Sequence, residues 1–196
     1  MRLILASESP RRKALLESAG IVPVIMPSNV SEEVKGDGLS PSELVKVLAR
    51  RKIESVSEEH PQDYVLGGDT IVYIDGEVLG KPATEEDAVS MIKHISGKTH
   101  VVYTGIALYE PRTKTVLDDF DATEVTMRKM DEQEIRSYVR TGEPMDKAGS
   151  YALQGIGGFF VERVNGDFSG VIGLPLPKVY NLLRRAGLSP DEILSS

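Results

Sequence analysis

The chain has 196 residues, 40% hydrophobic and 27% charged, with a net charge of −7 and no cysteine. That length and balance fit one soluble globular domain with room for two lobes, while the acidity argues against non-specific nucleic-acid binding. Without cysteine there is no disulfide, thiolate nucleophile or zinc–thiolate site. The N-terminus is too short in apolar residues for a signal peptide and no run approaches a membrane span, so a cytoplasmic protein with no membrane partner is expected.

Leu3-Ile4-Leu5 reads as a buried strand that breaks at Ser7. Ser9 is predicted to cap a helix over 10–19 with its hydroxyl, with Pro10 at the first position, Leu15, Leu16 and Ala19 inward, and Gly20 as the stop. Arg11 and Arg12 fall in the first turn, where the macrodipole favours negative charge. Either they are solvated, or they and the helix N-terminus receive an anion, most naturally phosphate. Residues 22–26 read as a second strand and 27–39 as a polar loop containing Glu32. Ser40-Pro41-Ser42-Glu43 is a capping box opening a helix to about Val56. Its inward face is predicted as Leu44, Val47, Leu48 and Ile53, with Arg50, Arg51 and Lys52 clustered near the middle.

Another strand begins at Tyr64 and is predicted to end in Gly67-Gly68-Asp69-Thr70. Residues 71–74 then form a hairpin with 78–80 around Asp75-Gly76. Thr84 caps a helix that stops at Gly97, and long strands follow over 99–109 and 115–127. Residues 131–140 read as a helix, 143–158 as a glycine-rich loop without clean period, 159–164 as a strand and 175–186 as the last long helix. No repeat or linker interrupts the chain, so residues 1–196 are expected to form a single α/β domain.

Four stretches offer chemistry. The first is the anion site at Ser9, Arg11 and Arg12. The second is Asp69, a carboxylate between glycines and Thr70, suited to a general base or metal ligand, or else a turn aspartate. The third is Lys81, held by Pro82 and suited to a phosphate contact, as is Lys52. The fourth is Glu143 with Asp146 and Lys147, which would bind metal and phosphate or form a surface ion-pair network. Beyond it, Gln154 offers a donor and an acceptor to a base edge. There is no phosphate-binding G-x-x-x-x-G-K-[ST], the glycines at 155–158 lack a dinucleotide-binding context, and His60, His94 and His100 lack metal-ligand spacing.

Leu-Ala-Ser-Glu-Ser-Pro-Arg-Arg, Gly-Asp-Thr-Ile-Val, Gly-Lys-Pro, Ser-Gly-Lys-Thr-His-x-Val-x-Thr-Gly and Gly-Glu-Pro-Met-Asp-Lys-Ala-Gly-Ser-Tyr-Ala-Leu-Gln-Gly together resemble the Maf (septum formation) proteins. The match runs in order along nearly the whole chain, ending with Gly-Leu-Pro-Leu. The resemblance implies an elongated mixed sheet with helices and two lobes around a deep cleft. It implies a nucleoside triphosphate pyrophosphatase that uses a divalent cation such as Mg²⁺ or Mn²⁺ and is commonly a homodimer. By motif, Asp69 is the proton acceptor, Arg12, Thr70 and Gln154 take part in substrate choice, and Glu32 with Asp69 would hold metal. Ser9, Arg11, Lys52, Lys81 and Lys147 would bind phosphate. Asp69-Thr70 with Gln154 resembles the branch acting on dTTP and UTP. Gly68 departs from the usual alanine, and Ser31-Glu32 from the frequent Asp-Glu. The competing expectations are a nucleotide-binding regulator of cell division with incidental hydrolysis, and a sugar-phosphate or nucleotidyl transferase.

Overall fold

The first strand, Leu3–Leu5 (β1), lies between two parallel neighbours, Val24–Ile25 (β2) and the start of Tyr64–Ile74 (β3). Helix α1 (Pro10–Ser18) links β1 to β2 on one side, and α2 (Pro41–Glu59) precedes β3 on the other. The chain therefore changes direction across the sheet at β1, and in open α/β sheets ligands collect beyond the carboxyl ends of strands at such a reversal. This computed structural model describes residues 2–30 and 38–194, so the expectation for Glu32 lies outside the described residues.

The remaining elements are β4 (Glu77–Leu79), α3 (Glu85–Ile95), β5 (Thr99–Glu110), β6 (Thr115–Met127), α4 (Glu132–Val139), β7 (Val161–Asn165), α5 (Phe168–Ile172), α6 (Leu176–Arg185) and α7 (Pro190–Leu194). Among the described residues, seven strands make one sheet in the order β2-β1-β3-β5-β6-β7, with β4 antiparallel to β3 off that path. Asp75 and Gly76 both take positive φ at the β3–β4 turn, as a tight hairpin turn requires. No described helix is long and apolar enough to cross a membrane.

Two compact units divide the chain. One holds the residues up to Asp69, Thr104–Asp121 and the residues from Gly173 on; its core includes Ile4, Ala49, Ile53, Val65 and Ala107. The other holds Thr70–Tyr103 and Ala122–Ile172, around Val72, Ile92, Val125, Met127, Ile135 and Tyr138.

Several boundaries differ from the sequence expectation, each for a physical reason. Ser9 precedes α1, but its hydroxyl does not cap the helix. Its amide instead donates to the Ser7 hydroxyl at 3.2 Å. Leu15 and Leu16 are buried whereas Ala19 is exposed. In α2 the capping box forms as expected, but the helix runs to Glu59 and its buried face is Val45, Leu48, Ala49, Lys52, Ile53 and Val56. Those positions keep helical spacing, so Lys52 belongs to the inward stripe, which the expected face of Leu44, Val47, Leu48 and Ile53 left out.

The larger correction concerns β3. Gly67-Gly68-Asp69-Thr70 does not end a strand; β3 runs unbroken through it. The two glycines permit close approach instead of a turn. A Cβ on Gly67 would lie 2.6 Å from Ile53 Cγ2 on α2, and one on Gly68 would lie 3.2 Å from the Gly105 carbonyl oxygen. What ends near Asp69 is the pairing with β1, whose last residue, Leu5, is opposite Leu66. Residues 159–160 close a 3-10 turn, Ile156–Phe160, rather than opening β7.

Candidate active site

In the first unit, the inward stripe of α2 brings Lys52 against β3. Its Nζ donates to Asp69 Oδ1 at 2.6 Å, and both side chains are only 9% exposed. A charge this deeply buried needs a partner, and each supplies the other's. Asp69 follows the point where β3 outlasts β1, so the fold places a carboxylate beyond the carboxyl end of β1.

Arg12 is fixed in the same unit. Its Nε donates to the Gly173 carbonyl at 2.8 Å and its Nη1 to the Ser7 hydroxyl at 3.1 Å. The position of a Cβ on Gly68 would be 3.5 Å from Arg12 Nε, so the guanidinium packs against the residue before Asp69. Thus Ser7, which the sequence reading used only as the end of a strand, orients an arginine. Ser9 and Arg11 stand in the same segment, half-buried.

In the second unit, Thr70 continues β3 and is half-buried, Lys81 is exposed just after β4, and Gln154 is exposed in the glycine-rich segment. Gly80, the neighbour of Lys81, accepts a hydrogen bond from the Gly149 amide at 3.0 Å, which ties the Lys81 loop to the segment carrying Lys147. Lys147 Nζ donates to the Glu143 carbonyl at 2.7 Å and also pairs with the Asp146 carboxylate. Glu143 does something else with its side chain. Its Oε1 accepts from the Tyr138 hydroxyl at 2.7 Å and the Gly157 amide at 2.9 Å, and its Oε2 accepts from the Ile156 amide at 2.9 Å. Burial raises its pKa, but these donors outweigh it and hold the carboxyl below its usual range. Of the two roles left open for Glu143, neither describes this arrangement: both oxygens serve the protein's own backbone.

The Maf-like protein model matches residues 2–186. The chain belongs to the Maf-like protein family. Curated relatives match it over nearly their whole length. A protein of Dictyoglomus thermophilum named dTTP/UTP pyrophosphatase is 43% identical over 187 residues, covering 95% of this chain and 97% of the relative. Proteins of the same name from Bacillus pumilus and Koribacter versatilis are 44% and 45% identical, each covering 96% of this chain and 98% and 96% of the relative.

For this Maf-like chain, the fold collects the motif residues in two sets, one per unit. The first holds two contacting pairs, Ser7 with Arg12 and Lys52 with Asp69, with Arg12 packed against Gly68, the residue before Asp69. Lys81, Glu143, Lys147 and Gln154 share connected loops in the second. A hard divalent cation needs oxygen ligands, often one or two carboxylates completed by water and substrate phosphates. Among the described residues no group of three or more histidines and carboxylates gathers to hold a metal. Asp69 still fits such a donor set, because a carboxylate offers about four lone-pair sites and Lys52 uses one oxygen. A cavity of about 660 Å³ in the second unit is lined by Arg128, Glu134, Tyr138, Ile156, Phe159 and Phe160 among others. None of the sequence-predicted site residues lines it.

His100 was expected to be structural, and its surroundings agree. It is buried, with Nε2 2.8 Å from the Tyr151 hydroxyl, and burial lowers its pKa to about 4.

Proposed function

We propose that this chain is a nucleoside triphosphate pyrophosphatase that hydrolyses dTTP and UTP to the monophosphate and pyrophosphate. The observation that carries the reading is the buried Lys52–Asp69 pair, set beyond the end of a parallel strand in a chain whose near-full-length relatives are named dTTP/UTP pyrophosphatase.

Asp69 accepts a proton from water as the water oxygen attacks the α-phosphorus in line. The bond to the bridging oxygen breaks and pyrophosphate leaves. Lys52 orients the carboxylate. Arg12, Arg11, Ser9, Lys81 and Lys147 offset the roughly four negative charges of the triphosphate and the charge that develops in the transition state. Gln154 presents one donor and one acceptor to the O4 and N3–H of uracil or thymine, and the Thr70 hydroxyl fixes that orientation. Asp69, and Glu32 from outside the described residues, would hold a divalent cation, which would lower the pKa of a bound water and neutralise phosphate charge. The reading extends to a homodimer, as the family resemblance implies, and to a cytoplasmic location with neither nucleic acid nor membrane as partner.

The test is product analysis with dTTP, UTP, CTP, ATP and GTP, without any acceptor molecule. Pyrophosphate and monophosphate are expected, with kcat/KM for dTTP and UTP at least about tenfold above the purine nucleotides. Orthophosphate as the product, or no product without an acceptor, would overturn the reaction. Equal rates on purines would overturn the base preference.

A further inference from the structure

We propose that Glu143, acting with Tyr138, is a positioning residue that fixes Gln154 and thereby sets the choice of base. The inference rests on Gln154 reading the base, as proposed above.

The geometry is a clamp on both sides of one exposed side chain. Two residues before Gln154, the Ala152 amide donates to the Tyr138 hydroxyl oxygen at 3.1 Å. Two and three residues after it, the Ile156 and Gly157 amides donate to the two carboxylate oxygens of Glu143. Tyr138 joins the halves by donating its own hydroxyl proton to Glu143 at 2.7 Å. One phenol and one carboxylate therefore satisfy three backbone amides, of which the Ala152 amide is buried and the Gly157 amide partly so, where an unserved N–H would be costly.

The same two side chains explain the glycines. A Cβ on Gly155 would sit 2.2 Å from Glu143 Oε2, and one on Gly157 would sit 2.5 Å from the Tyr138 hydroxyl oxygen. Glycine at these positions lets the backbone wrap the clamp closely. The Glu143 main-chain carbonyl, which a side-chain substitution leaves in place, separately receives Lys147 Nζ. Tyr138 is 2% exposed and packed in the core of its unit beside Phe160, so the clamp has a rigid footing.

A single amide cannot replace the carboxylate. Glutamine offers one acceptor oxygen where Glu143 uses two, and its NH₂ would face an N–H. Tyr138→Phe removes the hydroxyl that bridges both halves and keeps the ring that packs. A loosened loop would leave phosphate chemistry in place and let Gln154 sample orientations that no longer favour uracil or thymine, since discrimination requires a polar group held in one geometry.

The experiment compares full-length wild type, Tyr138→Phe and Glu143→Gln. It measures kcat and KM for dTTP, UTP, CTP, ATP and GTP, and amide hydrogen exchange over residues 152–157. Both variants should exchange faster at 152, 156 and 157. Their preference for dTTP and UTP over purines should fall at least fivefold, with purine kcat/KM kept within about twofold. If Glu143→Gln does not fold, Tyr138→Phe alone decides. Unchanged exchange, or faster exchange with unchanged preference, or an equal loss on every substrate, would each overturn the proposal. Absence of a dTTP/UTP preference in wild type would show that the base-reading assignment has failed, before any variant is compared, and this inference falls with it.

Discussion

Lys52 and Asp69 form a buried ion pair across α2 and β3 at 2.6 Å, each satisfying a charge that the apolar packing around it could not. Removing one partner of such a pair typically destabilises by about 3–5 kcal/mol, because the other is left buried and uncompensated. Lys52→Met should therefore lower Tm strongly, and Lys52→Met with Asp69→Asn should recover part of the loss. Thermal unfolding of the four proteins in the cycle measures it. A double variant no more stable than Lys52→Met would show that the charge left behind is not what matters.

Asp69→Asn keeps the shape and one acceptor oxygen for Lys52 but not the opposite charge, so it should fold with a lowered Tm. Loss of a positioned general base typically lowers the rate by roughly 10²–10⁴. Pyrophosphate release at saturating dTTP checks this, and a variant within a few-fold of wild type would move the base to another residue.

The adjacent glycines of β3 should behave differently. Gly67→Ala forces a methyl to 2.6 Å from Ile53 Cγ2, and overpacking of this kind typically destabilises by about 1–3 kcal/mol. Gly68→Ala brings its methyl to 3.2 Å from the Gly105 carbonyl oxygen and 3.5 Å from Arg12 Nε, which shifts of a few tenths of an ångström relieve. Gly68→Ala should fold with near wild-type stability, since the lost flexibility of the unfolded chain offsets the tightness. Denaturant unfolding of both variants decides it, and equal losses would mean that α2 can move away from β3.

Arg12→Lys should not restore what Arg12→Ala removes. The guanidinium reaches the Gly173 carbonyl with Nε and the Ser7 hydroxyl with Nη1, a fork that a lysine ammonium cannot copy. Both variants should raise KM for dTTP, and a lysine variant matching wild type would reduce the role of Arg12 to its charge.

Glu110 should make stability depend on acid pH. Burial opposes its ionisation, but the Thr113 hydroxyl, the Arg112 and Thr113 amides and the Arg112 guanidinium outweigh that and bring its pKa down to about 2 from 4.5. A group with a lower pKa in the folded state contributes stability above its unfolded pKa and loses it as pH falls through the folded value. The stability gap between wild type and Glu110→Gln should be widest above about pH 5 and close towards pH 2. A gap that stays constant across this range would remove Glu110 from the acid response.

The sequence by itself determined much of this protein. The capping boxes at Ser40, Thr84 and Asp131 start helices where expected, because a cap is a local exchange of hydrogen bonds between neighbours. The Asp75-Gly76 hairpin and the two long strands were legible from local pattern too, and the motifs named the family along nearly the whole chain. Only the tertiary structure decided what the glycines were for. Gly67-Gly68 read as the end of a strand, since local sequence cannot show that Ile53 and Arg12 approach them from elsewhere in the chain. Lys52 read as a phosphate contact off the inward face of its helix, because its partner lies 17 residues away and its face of α2 is fixed by packing. Glu143 read as a ligand for metal or a surface charge, yet its oxygens go to amides 13 and 14 residues further on. Local chemistry writes the elements; which charged group is buried, and against what, depends on contacts between residues that sequence proximity does not record.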